Sequence, residues 1–155
     1  MEAKDGFMPQ INFYHLTATP LEKALPKLLE KASSAGFRVV VKVGDAAMLA
    51  NLDKALWTYD PNSFLAHGTD ETGNAEDQPI YLTLADNNPN NAKLLAVTDG
   101  SSPALDGYDR VLDLFDAADE TAVANARTRW KAYKDAGLDL QYWQQTEQGG
   151  WQQKA

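Results

Sequence analysis

Residues 10–43 read QINFYHLTATPLEKALPKLLEKASSAGFRVVVKV, and this stretch decides the fold class. The aromatic and β-branched run at 10–16 predicts a strand, and the valine-rich run at 37–43 predicts another. Between them, leucines recur at helical spacing, and Thr19 to Glu22 have the composition of a helix start, with Thr19 as the cap and Pro20 at the first helical position. A strand, a helix and a strand in succession predict a parallel βαβ unit.

The remaining sequence continues this alternation. Asp45 is placed to cap a second amphipathic helix that extends to Trp57, and residues 58–79 are polar and rich in turn residues. Three further strands are predicted at 80–84, 92–98 and 108–115, followed by a helix at 119–136. Strands that alternate with helices predict an α/β fold with a mostly parallel central sheet and helices on both faces.

The length of 155 residues is typical of one domain, and we expect a single domain over 1–155. The predicted elements lie within about 10–141. Residues 1–9 and 142–155 are expected to be loosely ordered tails, because neither carries a clear helical or strand pattern.

The composition excludes several classes of protein. The chain has no cysteine, which excludes a disulfide scaffold, a thiol nucleophile and a cysteine-bound metal. His15 and His67 are the two histidines, and neither stands in a metal-ligand pattern, so we expect no metal site. No apolar run is long enough to span a membrane, and the N-terminus does not read as a signal peptide, so a cytoplasmic location is expected.

The sequence also lacks the common catalytic and nucleotide-binding motifs. The first strand is followed by Leu16-Thr17-Ala18-Thr19-Pro20 rather than by a glycine-rich phosphate loop, and there is neither a Walker lysine motif nor a nucleophile elbow. We therefore expect no nucleotide-binding loop, no cofactor and no active site.

The charge distribution indicates what kind of partner the protein binds. The net charge is −8, which disfavours direct contact with nucleic acid. Arg127, Arg129, Lys131 and Lys134 form a local basic cluster in the last helix. Val123, Ala126, Trp130 and Tyr133 recur at spacings of three and four and predict a buried face beside it. The cations either complement the helix dipole or form an anion site next to an apolar surface, which would suit an acidic peptide with an aromatic residue.

A second constellation lies at the start of the polar segment. Trp57 and Phe64 are large aromatics beside a turn-rich loop. Such residues are either packed into the core or exposed as anchors for a protein partner. The local pattern leaves both interpretations open.

Several segments together resemble the chi subunit of bacterial DNA polymerase III holoenzyme. They are Phe13-Tyr14-His15-Leu16, the stretch from Leu52-Asp53-Lys54-Ala55-Leu56-Trp57 to Phe64-Leu65-Ala66-His67, Gln78-Pro79-Ile80, and Arg127-Thr128-Arg129-Trp130-Lys131-Ala132-Tyr133-Lys134-Asp135-Ala136-Gly137. They occur in the family's order and cover nearly the whole chain.

The resemblance implies a Rossmann-like three-layer sandwich without a nucleotide site and a noncatalytic role in DNA replication. It implies binding of the acidic C-terminal tail of single-stranded-DNA-binding protein, which ends in Phe with a free carboxylate. Arg127 and Lys131 would bind this tail, with Trp130 where the family often has another aromatic and Lys134 in the same basic stripe. It further implies a second surface at Trp57 and Phe64 for the psi subunit of the clamp loader or for a helicase.

Two other functions remain as alternatives. The protein could be a stand-alone adaptor that recruits a helicase or repair partner to single-stranded-DNA-binding protein. It could also be a small-molecule-binding α/β protein, which would need a phosphate loop or a catalytic histidine.

Overall fold

The computed structural model describes residues 9–60, 65–69 and 71–155. Its centre is one sheet of eight strands in the order β3-β4-β2-β5-β6-β1-β7-β8. All neighbouring strands are parallel except β7 and β8, which form an antiparallel pair. The strands are β1 (Gln10–Leu16), β2 (Val39–Lys42), β3 (Gly68–Thr69), β4 (Ile80–Thr83), β5 (Leu94–Val97), β6 (Arg110–Asp116), β7 (Asp139–Gln145) and β8 (Trp151–Gln153).

The described residues form three α-helices, α1 (Leu21–Ser34), α2 (Ala46–Thr58) and α3 (Glu120–Asp135), and a short 3-10 helix at Ala75–Asp77. Helices α1 and α2 pack on one face of the sheet, and α3 packs on the other. This arrangement confirms the predicted α/β sandwich with a mostly parallel sheet.

Alternation along the buried strands creates the two layers of the core. In β2, Val39 and Val41 face α1 and α2, whereas Val40 faces the α3 side. A strand buried on both faces reads as a continuous apolar run rather than as an alternating one, which explains the valine run of the sequence. The α3 side also receives Ile11 and Phe13 from β1.

The start of α1 differs from the prediction. Its N-cap is Pro20, which provides no side-chain hydrogen bond, so Thr19 does not cap the helix. The Thr19 hydroxyl instead accepts a hydrogen bond from Gln145 Nε2 at 2.7 Å. The Asp45 cap of α2 is confirmed, because Asp45 Oδ1 accepts from the Met48 amide at 2.8 Å.

The expectation that residues 142–155 form a loose tail is wrong. This segment completes β7, turns, and returns as β8 at the edge of the sheet. β7 pairs with β1 through backbone hydrogen bonds, which require no apolar pattern in its sequence, DLQYWQQ. The predicted N-terminal tail lies outside the described residues apart from Pro9, which is buried.

Gln145 fastens the end of β7 to the turn before α1. Its Oε1 accepts hydrogen bonds from the Ala18 and Thr19 amides at 2.9 and 3.0 Å. Its backbone carbonyl accepts a third from the Thr17 hydroxyl at 2.9 Å. These contacts hold the start of the β7–β8 turn beside the loop that precedes α1.

No helix in the described ranges is long and apolar enough to cross a membrane.

Candidate functional site

Two structural contacts hold α3 in place. At its start, Asp119 Oδ1 accepts hydrogen bonds from the Thr121 and Ala122 amides at 3.0 and 3.1 Å. In its middle, Arg129 Nε and Nη2 each donate to the Asp113 carboxylate of β6 at 2.7 Å. Both side chains of this ion pair are almost fully buried. The buried contact therefore fixes the height and rotation of α3 on the sheet.

A cavity of about 370 Å³ lies between α3 and the sheet, and we call it the α3 pocket. It is open to solvent on one side, and apolar and aromatic side chains form most of its wall. It is lined by Phe13, His15, Phe115, Val123, Ala126, Arg127, Trp130, Tyr142 and Ala155.

Aromatic rings from three strands and the helix shape this pocket. The Phe13 ring meets Trp130 edge to face, with 5.3 Å between centroids and 78° between planes. Tyr142 is the direct neighbour of Phe13 across the β1–β7 pair, and its ring also meets Trp130 edge-on at 6.3 Å. His15 stacks on Phe115, its neighbour on β6, at 4.7 Å. Such rings form a firm apolar wall suited to another ring.

Arg127, His15 and Tyr142 are the ionisable side chains that line the pocket. His15 Nδ1 lies 2.7 Å from the Tyr142 hydroxyl, and the buried His15 Nε2 has no hydrogen-bond partner among the described residues. Burial lowers the pKa of His15; the positive charge of Arg127 lowers it further, whereas Asp116 raises it. Burial raises the pKa of Tyr142, because it disfavours the charged phenolate, and Arg127 opposes that shift. The guanidinium of Arg127 is thus the dominant positive charge at an apolar wall.

The structure brings together only part of the predicted basic stripe. Arg127 and Trp130 both line the α3 pocket, while Lys131 and Lys134 are exposed and lie outside its wall. Lys131 Nζ forms an exposed ion pair with Asp135 at 3.3 Å, one helical turn along α3. Arg129, the remaining cation of the cluster, serves the buried contact with β6.

The predicted packing face of α3 is confirmed. Ala126 is buried in the core on this side of the sheet, and Val123, Trp130 and Tyr133 pack against that core while partly exposed. The Tyr133 ring also contacts Phe13, with centroids 6.2 Å apart.

Trp57 at the end of α2 is exposed over 58% of its surface, the highest value among the large apolar residues of the described chain. It therefore does not fill the core. Its ring lies against His67, with centroids 4.7 Å apart. Phe64, the other residue predicted for this surface, lies outside the described residues.

The carboxyl ends of the parallel strands form a separate crevice of about 510 Å³. In doubly wound folds this is where nucleotides bind. Here Asp99, Asp116 and Asp119 line the crevice. Lys42 Nζ forms an ion pair with Asp99 Oδ2 at 2.8 Å. Carboxylates at this position repel phosphate. In the described part of the chain, no group of three or more metal-ligating side chains could hold a metal ion.

Comparison with known proteins identifies the family. Residues 8–141 match the family model described as DNA polymerase III chi subunit, HolC. The chain belongs to the DNA polymerase III chi subunit family. This membership agrees with the Rossmann-like sheet.

Two curated chi proteins are similar to this chain. A Pseudomonas aeruginosa protein named DNA polymerase III subunit chi is 27% identical over 139 residues, which cover 86% of this chain and 95% of that protein. A Rickettsia prowazekii protein named probable DNA polymerase III subunit chi is 36% identical over 91 residues. That second alignment covers 59% of this chain and 55% of the Rickettsia protein, so the chain spans about half the length of that relative.

Sequence reasoning missed the part of the α3 pocket that the sheet contributes. Phe13, His15, Phe115 and Tyr142 come from three strands, and they meet only because β1 lies between β6 and β7. The period-two alternation of β1 was the available signal, since it puts His15 on the same face as Phe13. Nothing in the sequence places Tyr142 there without the strand order.

Proposed function

We propose that this chi-family protein is a noncatalytic accessory subunit of DNA polymerase III that binds the acidic C-terminal tail of single-stranded-DNA-binding protein in the α3 pocket. One observation carries the proposal: Arg127 stands at the mouth of an aromatic pocket on a protein whose net charge is −8. An apolar cavity beside a cation is complementary to a peptide that ends in Phe with a free carboxylate. No cofactor or metal takes part in this role.

The chemistry of the pocket divides the tail into two parts. The terminal Phe ring enters the cavity against Trp130 and Phe13, where edge-to-face contacts are favourable. Its carboxylate is bound by Arg127, whose planar guanidinium can bond both oxygens. Lys131, one turn further along α3, attracts the acidic residues upstream. A short flexible peptide loses entropy on binding, so we expect a dissociation constant of about 1 μM, or about −8 kcal/mol.

Trp57 supports a second role, the link to the clamp loader. A tryptophan that remains 58% exposed is a suitable anchor for a protein partner, since it buries a large area at low entropic expense. The partner is the psi subunit of the clamp loader. Through this contact the protein links single-stranded-DNA-binding protein to the replication machinery at the fork in the bacterial cytoplasm. The competing partner is a helicase, in which case the protein acts as a stand-alone adaptor.

Titration of a fluorescently labelled acidic peptide that ends in Phe tests the tail proposal. Anisotropy should show saturable binding near micromolar concentrations, and the same peptide without its final Phe should bind at least about tenfold more weakly. A scrambled peptide of equal charge is the control for nonspecific attraction. Equal affinity of the intact and scrambled peptides would contradict the proposal.

Binding of purified psi subunit and of a purified helicase tests the second surface. We expect the protein to form a complex with the clamp-loader psi subunit that Trp57→Ala abolishes while tail-peptide affinity is unchanged. If a helicase binds through Trp57 and psi does not, the adaptor function replaces the clamp-loader link.

A further inference from the structure

A cavity on the α1 side of the sheet has two buried polar atoms without partners in its wall. It measures about 260 Å³ and lies between α1 and strands β6, β1 and β7. Asn12, which is 4% exposed, lines this cavity, and its Oδ1 has no hydrogen-bond partner among the described residues. The same is true of Nε1 of Trp143, which also lines it. Buried polar atoms are nearly always hydrogen-bonded, so an acceptor and an indole donor in one wall are complementary to a ligand that offers both kinds of group.

Aromatic rings from three strands surround these atoms. Tyr14 and Trp143 are direct neighbours across the β1–β7 pair, and their rings stack at 14° with 6.4 Å between centroids. Trp151 of β8 meets Tyr14 edge-on at 4.9 Å. All three residues line the cavity and remain partly exposed. Aromatic side chains on adjacent strands are the platforms on which single-stranded nucleic acids stack their bases, whose edges carry donors and acceptors.

Four cations border these rings. Lys31 and Arg110 line the cavity itself, and Lys23 and Lys27 line an adjoining cavity of about 410 Å³. Trp151 lines both cavities, and we call the two together the α1 groove. All four basic residues are exposed, and none of them forms an ion pair with a described residue. They are therefore free to attract an anion.

The positions of these cations suit a chain of negative charges. Lys23, Lys27 and Lys31 share one face of α1 at steps of about 6 Å, so they form a row along the groove. Glu22 is the one carboxylate among the described residues that line the two cavities. The net charge of −8 opposes a polyanion at long range. Salt screens that repulsion beyond about 10 Å, so the charges that line the groove dominate close contact.

We propose that the α1 groove binds single-stranded DNA. A base enters the cavity lined by rings, where its edge bonds the Asn12 amide and the Trp143 indole, and the phosphates follow the lysine row of α1. This site lies on the opposite face of the sheet from the α3 pocket, because Asn12 and Tyr14 alternate along β1 with residues that face α3. The inference goes beyond tail binding and does not depend on it.

Two labelled strands of the same length test whether the groove recognises bases. One is an oligothymidylate of about eight nucleotides, and the other is an abasic strand with the same number of phosphates. Anisotropy titration at about 20 mM salt should show at least about fivefold tighter binding of the thymidylate strand, the lower limit for one base–aromatic stack. Equal affinity of the two strands would overturn the proposal. Equal binding of a polyglutamate peptide would assign the groove to an acidic protein and would also overturn it.

Two matched lysine variants test whether the phosphates follow α1. Lys27→Gln should weaken oligothymidylate binding and reduce the slope of log affinity against log salt concentration by about 0.7, the value for one phosphate contact of a single strand. Lys93→Gln removes an equal charge from an exposed residue that lines neither cavity and should leave the slope unchanged. Equal slopes for the two variants would show that the strand does not follow α1.

Asn12→Leu tests the unpartnered atoms of the cavity. The substitution replaces an unsatisfied buried amide with an apolar group of similar size, so the free energy of unfolding should stay the same or rise. Oligothymidylate binding by this folded variant should nevertheless weaken about three- to tenfold, the loss expected for one hydrogen bond. Unchanged binding would mean that the two buried atoms are bridged by water only, and that no base enters the cavity.

Discussion

Arg127 and Arg129 lie two positions apart on α3, and they face different environments. Arg129 is 5% exposed and makes two hydrogen bonds of 2.7 Å to Asp113, whereas Arg127 is exposed at the mouth of the α3 pocket. A helix turns about 100° per residue, so positions two apart point to different sides. One arginine of the basic cluster therefore stabilises the fold and the other is available to bind a ligand.

Alanine substitutions should separate these two roles. Arg129→Ala leaves the buried Asp113 carboxylate without its partner and should reduce the free energy of unfolding by about 3–5 kcal/mol. Arg127→Ala removes an exposed side chain and should change that free energy by no more than about 0.5 kcal/mol. Urea denaturation followed by circular dichroism measures both. Equal losses from the two variants would show that the assignment of roles is wrong.

Lys131→Ala should affect tail binding less than Arg127→Ala does. Its ammonium is exposed and lies outside the pocket wall, and it already pairs with Asp135. An exposed ion pair contributes up to about 1 kcal/mol, so we expect at most about a fivefold loss of peptide affinity. Lys134→Ala should have a still smaller effect. A loss above tenfold for either lysine would place the tail across the outer face of α3 instead.

His15 should make both stability and tail binding depend on pH. Burial and Arg127 lower its folded-state pKa, so the unfolded chain takes up a proton at a higher pH than the folded chain. This contribution to stability is complete above the unfolded pKa of about 6.5 and is lost as pH falls through the folded pKa. Thermal unfolding between pH 5 and 8 should show this loss, and His15→Gln should flatten the curve in that window.

A carboxylate bound beside Arg127 should oppose the effect of Arg127 on the pKa of His15. It offsets the positive charge of Arg127 and favours the imidazolium form. Peptide affinity should therefore rise as pH falls from about 6.5 through the lowered pKa of His15, and the rise should be absent in His15→Gln. A flat profile in the intact protein would mean that the carboxylate does not approach His15.

Gln145→Ala tests the contacts that hold β8 in place. The substitution removes the side-chain bonds to the Ala18 and Thr19 amides and to the Thr19 hydroxyl. We expect a loss of about 2–3 kcal/mol in the free energy of unfolding, because these partly buried groups lose their partners. In Gln145→Ala, the amides of β8 should exchange with deuterium faster than they do in the intact protein, and much faster than the amides of β1. Unchanged exchange would show that strand pairing alone holds the segment.

The sequence predicted the elements with strong local patterns. β1 has the predicted bounds, and the Asp45 cap and the α3 packing face are confirmed. β7 and β8 were missed because their glutamines and tryptophans show no burial pattern, and the pairing of β7 with β1 depends on backbone contacts between distant segments. A single sequence contains no direct record of such pairings.

The sequence predicted the residues that α3 contributes to the candidate site, but not those that the sheet contributes. Arg127 and Trp130 share a helix face, a relationship that spacing reveals. Phe115 and Tyr142 reach the pocket from strands on either side of β1, so their proximity depends on strand order. Lys131 and Lys134 do not line the pocket, because contact with it depends on the rotation of α3, which Arg129 and Asp113 determine. Their part in tail binding stays a prediction.

The most direct test of the central claim is tail-peptide binding by Arg127→Glu compared with Lys134→Glu at about 50 mM salt. Both variants make the same charge change on α3, but only Arg127 lines the pocket. Anisotropy titration should show at least about a thirtyfold loss of affinity for Arg127→Glu and less than about a fivefold loss for Lys134→Glu. Equal losses in the two folded variants, or unchanged affinity in Arg127→Glu, would contradict the assignment of the α3 pocket as the tail-binding site.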